Sequence, residues 1–116
     1  MVKLRYYDFE KLKQYVGDDP AQVKEIIQIF LDTIPIEIEE IKQDAKNCDW
    51  GRLYKRIHKI KPSFEVFSME LISKEARQIE LLAQENNSEN NIDKYINSFE
   101  TQINKVLSLL KEELMR

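Results

Sequence analysis

The chain has 116 residues, 42% hydrophobic and 34% charged, with two glycines, three prolines and a net charge of −3. That length suits one domain with a real core, and that composition suits a helix-rich fold rather than a disordered or all-β chain. A sequence pI near 5.3 argues against a nucleic-acid binder, which needs a basic surface, and a single cysteine, Cys48, excludes an internal disulfide and paired-cysteine zinc sites.

The N-terminus, MVKLRYYDFEKLK, alternates charged and apolar residues and has no apolar signal core. No stretch approaches the roughly 18 uninterrupted apolar residues of a membrane span, so a reduced, cytoplasmic protein is expected. Asp8 can cap a short helix carrying Phe9 and Leu12, with Gly17 at its end. Asp18 or Asp19 before Pro20 is a helix start, because proline tolerates the first turn. That helix carries Val23, Ile26, Ile27, Phe30, Leu31 and Ile34 to Pro35, where the missing backbone donor predicts a kink or short break. Ile36, Ile38 and Ile41 continue the pattern toward Ala45.

Asp49 caps the next segment, from Trp50, with Leu53, Ile57, Ile60 and Phe64 at helical spacing. After a short apolar link at Val66, Phe67 and Ser68, Leu71, Ile72, Ala76, Ile79 and Leu82 mark a fourth segment. The polar run QENNSENN, from Gln84 to Asn91, reads as a loop. Ile92, Ile96, Phe99, Ile103, Val106, Leu107 and Leu110 form the last stripe. Such amphipathic helices must bury their stripes against one another. The expected fold is all-α: an antiparallel four-helix bundle with a short additional N-terminal helix, formed by residues 1–116 as one domain.

His58 is the only histidine. At about 100° per residue, Leu53, Ile57, Ile60 and Phe64 fall within roughly 40° of one direction, and His58 lies roughly 130° from it. It belongs at the surface or its rim, either as an ordinary exposed side chain or as a reactive one. Between Trp50 and Phe64 the charged residues are Arg52, Lys55, Arg56, Lys59 and Lys61, with no acid. Such a face is either merely solvated or built to steer in an acidic partner. Pro62 removes the N–H that would bond the carbonyl of His58. Cys48 has no periodic relation to His58 and is expected to be a buried structural thiol.

The stretch resembles the histidine-containing phosphotransfer (Hpt) domain of two-component phosphorelays. His58, Ile60, Lys61 and Ser63 match that family's motif of histidine, any residue, aliphatic, lysine, glycine and small residue. Ala76, Ile79 and Glu80 match its following helix. FLDTIP, Phe30 to Pro35, is similar to its usual lead-in to the second helix, and NCDWGRLYKRIH, Asn47 to His58, to the acid-aromatic start of its phosphoacceptor helix. Pro62 and Ser68 stand where the family has glycines.

The resemblance implies a non-enzymatic phosphoryl carrier, with His58 as acceptor and Lys61 orienting the phosphoryl oxygens. Arg56, Lys55 and Lys59 would complement the acidic pocket of a receiver domain. Tyr54, Lys55, Lys59, Pro62 and Phe67 would dock it. The implied partners are receiver domains of response regulators or hybrid histidine kinases, with no nucleic acid or membrane, and the carrier is expected to be a monomer. No cofactor is implied in this chain; the metal ion would come with the receiver. With two glycines and no phosphate loop, an autonomous kinase is disfavoured. The rivals are an Hpt-like module that binds a receiver or kinase without carrying phosphate, and a helical adaptor working through the last helix.

Overall fold

A computed structural model describes residues 6–85 and 92–116, which form five helices and, among the described residues, no strand. Helix α1, Glu10–Val16, starts where Asp8 Oδ1 accepts the Glu10 N–H at 3.2 Å and stops at Gly17, whose φ of +84° suits only a residue without Cβ. Helix α2, Pro20–Lys46, opens with Asp19 accepting the Ala21 N–H and Pro20 in the first turn.

The break expected at Pro35 is absent, since α2 is continuous through it. Pro35 is exposed, so the Leu31 carbonyl it deprives of a donor lies on the water side, where solvent replaces the lost bond. Ile36, expected to continue the core stripe, is 64% exposed. It lies on the far side of α2 from Phe30, Ile34, Ile38 and Ile41, which are buried.

Cys48 is not buried. It sits exposed in the α2–α3 turn with φ of +54°, outside both helices and so beyond the reach of the core. Asp49 then caps helix α3, Trp50–Val66, by accepting the Arg52 N–H at 3.3 Å. Leu53, Ile57, Ile60 and Phe64 are its buried residues, as their spacing predicts. Ser68, with φ of +55°, occupies the left-handed region that favours glycine, and its N–H donates to the Glu65 carbonyl.

Helix α4, Glu70–Gln84, buries Ile72, Ala76, Ile79 and Leu82, but Leu71, expected on that stripe, is exposed. Of the run read as a loop, Gln84 belongs to α4 and residues 86–91 lie outside the described residues. Helix α5, Ile92–Leu114, buries all seven residues of its predicted stripe.

Helix α3 packs on α4, α4 on α5, α5 on α2 and α2 on α3, so the four long helices close a ring around one core. Phe64 joins three of them, its ring edge-on to Phe30 of α2 at 6.0 Å and to Phe99 of α5 at 5.7 Å. The segment before α1 straps one end of this ring. The Asp8 N–H donates to the Phe67 carbonyl, the Phe9 ring stands edge-on to Phe67, and the Tyr7 hydroxyl donates to Glu113 at 3.3 Å. Burial, and then the Glu113 charge, push the Tyr7 hydroxyl up to about 12. No helix among the described residues is long and apolar enough to cross a membrane.

Candidate functional site

His58 projects from the middle of α3 with its side chain 66% exposed. This agrees with its predicted place off the apolar stripe. Its ring lies nearly parallel to that of Tyr54, one turn earlier, with centroids 5.9 Å apart and planes inclined by 10°. Its Nδ1 is 2.7 Å from Oε2 of Glu80, on the neighbouring α4. The other oxygen of the same carboxylate accepts from Lys61 Nζ at 2.9 Å. One nearly buried carboxylate therefore holds both residues singled out in the sequence.

Burial by itself would raise the Glu80 carboxyl, but hydrogen bonds from Lys61 and His58 and their charges outweigh it, and it sits below the usual carboxylate range. An ionised carboxylate only accepts hydrogen bonds. In the neutral imidazole the proton is therefore on Nδ1 and the lone pair on Nε2, which has no hydrogen-bond partner among the described residues.

The basic face of α3 is largely compensated from within. Arg56, expected to complement a receiver, turns to α2, where its guanidinium donates to Asp44 at 2.8 Å and to Glu37 at 3.3 Å. Hydrogen bonding to Asp44 raises the Arg56 pKa against the effect of burial. Lys59 remains exposed but donates to the other oxygen of Glu37 at 2.9 Å. For Glu37, burial opposes ionisation, and the hydrogen bonds from Lys59 and Arg56 more than offset it, so its pKa is lowered. The acids that do this are on α2, outside the stretch from Trp50 to Phe64.

Of the residues expected to dock a partner, Lys55, Lys59 and Pro62 are exposed and Tyr54 is half-buried. Phe67 is not available, because it is 1% exposed and packed between Phe9 and Phe30. Its position in a link suggested exposure, but the turn directs the ring inward under the N-terminal strap. Glu80 is the residue contacting both His58 and Lys61 that the sequence left without a role. It is 22 positions from His58, and only the motif match on α4 pointed to it. Among the described residues, no group of three or more His, Cys, Asp or Glu side chains could hold a metal ion.

An exposed imidazole on a bundle helix, oriented by a carboxylate of the next helix, fits the motif from His58 to Ser63. The family profile of the Hpt domain matches residues 25–114. The chain belongs to the Hpt family. Comparison with curated proteins and with solved structures gives no match to either. Hpt domains are phosphocarrier modules rather than kinases, serve two-component phosphorelays and interact with receiver domains. The matched span takes in most of α2 and all of α3, α4 and α5, the four helices that position His58 in this Hpt domain.

Proposed function

We propose that His58 accepts a phosphoryl group from a receiver-domain aspartyl phosphate and returns it to another receiver. The observation that carries this reading is an exposed imidazole whose Nδ1 is held by Glu80 at 2.7 Å. The Nε2 lone pair attacks phosphorus, an N–P bond forms and the acyl P–O bond breaks, and its electron pair leaves with the aspartate carboxylate. The Nδ1 proton stays in place. The ring gains positive charge as the N–P bond forms, and the Glu80 carboxylate already faces it, so no group has to reorient.

Lys61 acts through the same carboxylate. Its ammonium has three donors, of which one is used by Glu80, leaving others for phosphoryl oxygens. Lys55, Lys59, Pro62 and Tyr54 surround the imidazole as the docking rim. The metal ion that serves the transfer is part of the receiver's site.

The test is transfer from a phosphorylated receiver, followed by acid and base treatment of the labelled chain. Acid-labile, base-stable label that is absent from a folded His58→Gln variant is the expected result. Receiver binding without label would leave the interaction-only module as the function.

A further inference from the structure

Beside Lys61 and Glu80, a cleft of about 580 Å³ opens between α1, the C-terminal turns of α3 and α4, which lines it from Glu70 to Leu81. That volume lies within the range of small-molecule sites, roughly 300 to 1,000 Å³. Its walls carry four cations, Lys11, Lys61, Lys74 and Arg77, against three carboxylates, on a chain whose net charge is −3.

These cations differ from those facing α2. Arg56 and Lys59 are neutralised by Glu37 and Asp44. Lys11, Lys74 and Arg77, in contrast, make no ion pair among the described residues, and Lys61 has donors to spare beyond its bond to Glu80. The cleft also contains the Ser73 hydroxyl and the N-terminus of the 15-residue α4, where Met69 supplies no side-chain cap. Lysine, arginine and hydroxyl donors lining one space favour a phosphate group.

Three carboxylates share the lining: Glu80, engaged by His58 and Lys61, and Glu65 and Glu70. Glu65 and Glu70 disfavour a bare polyanion and accept hydrogen bonds from hydroxyl or amino groups. We propose that this cleft binds a small phosphomonoester that carries hydroxyl donors. The phosphate sits against Lys74 and Arg77, and the hydroxyls reach Glu65 and Glu70. This binding does not depend on phosphorylation of His58, and it is measured without any transfer reaction.

The experiment is an amide and arginine side-chain NMR titration of the whole chain with inorganic phosphate and, separately, ribose 5-phosphate. Expected are saturable shifts at Ser68, Ser73 and Arg77, with Lys55 and Lys59 unmoved. Ribose 5-phosphate should bind about fivefold more tightly than inorganic phosphate, the increment of one net hydrogen bond of about 1 kcal/mol. The doubly substituted Lys74→Gln, Arg77→Gln chain should lose the response. Both side chains are exposed, so its circular dichroism melt should match the parent's.

Shifts that fail to saturate, that persist in the doubly substituted chain, or that fall equally on Lys55 and Lys59 would overturn the proposal. So would binding of an acidic peptide in the cleft when neither phosphate probe binds, which would make it a protein contact. Equal affinity for the two probes would remove the assignment of Glu65 and Glu70.

Discussion

An ionised carboxylate 2.7 Å from Nδ1 does two separable things to an imidazole. It fixes the tautomer, and it places negative charge where positive charge will grow. Glu80→Gln separates them, because the amide oxygen can still accept the Nδ1 proton while the charge is gone. The expected outcome is a transfer rate lower by roughly tenfold, about 1.4 kcal/mol of lost charge stabilisation, with the ring tautomer preserved. Single-turnover transfer checks the rate and ring ¹⁵N shifts check the tautomer; an unchanged rate would remove Glu80 from the mechanism. The location of His58 was legible in the sequence because a helix face is a local property, set by residues three and four positions away. The orientation of its ring was not, because Glu80 comes from another helix. Phe67 and Cys48 were misjudged for a related reason. Both stand in turns, where the backbone angles decide which way a side chain goes and periodicity is silent.

Asp19, Pro20, Gly17 and Asp49 mark element ends in the sequence, and the helices begin and end beside them. Pro35 shows the limit of such punctuation, because whether a proline breaks a helix depends on which face it occupies. Since α2 runs unbroken through an exposed Pro35, Pro35→Ala should restore a backbone bond without repacking. Proline in a helix interior is about 3 kcal/mol less favourable than alanine. The freer unfolded chain gives back up to about 1 kcal/mol. Urea denaturation should therefore show a net gain of roughly 2 kcal/mol, and a loss would mean that α2 uses a bend at this residue. Between elements, Glu80 joins α4 to α3 and Glu37 joins α2 to α3, and both have folded pKa values below the ordinary 4.5. A carboxyl whose pKa is lowered on folding adds stability that is present above the unfolded value and lost as pH falls through the folded one. Unfolding free energy should therefore decline as pH drops from about 4.5 downward. In Glu37→Gln and Glu80→Gln that decline should be shallower, and an unaltered slope in both would show that these bridges contribute no linkage.

At the scale of the molecule, the family match begins at residue 25, so the N-terminal strap and α1 lie outside it. Composition and stripes were enough to call for a ring of helices, but nothing in the sequence showed what covers its open end. That cover consists of Leu12, 2% exposed, with Phe9 against Phe67 and Tyr7 hydrogen-bonded to Glu113. Burying Leu12 contributes about 2 kcal/mol and half-burying Phe9 about 1 kcal/mol. Deleting residues 1–18 should thus cost about 3 kcal/mol, less than the 5 to 15 kcal/mol total typical of a domain. The four-helix ring should survive, and His58, Lys61 and Glu80 all remain in it. A shortened chain should melt at a lower temperature, keep its helical circular dichroism at 25 °C, and accept phosphoryl groups from a receiver at an undiminished rate. If it melts lower but transfers normally, the strap stabilises the fold and takes no part in the chemistry. Normal folding with a slower transfer would instead place α1, through Lys11 and Tyr15 beside Pro62, in the surface that meets the receiver.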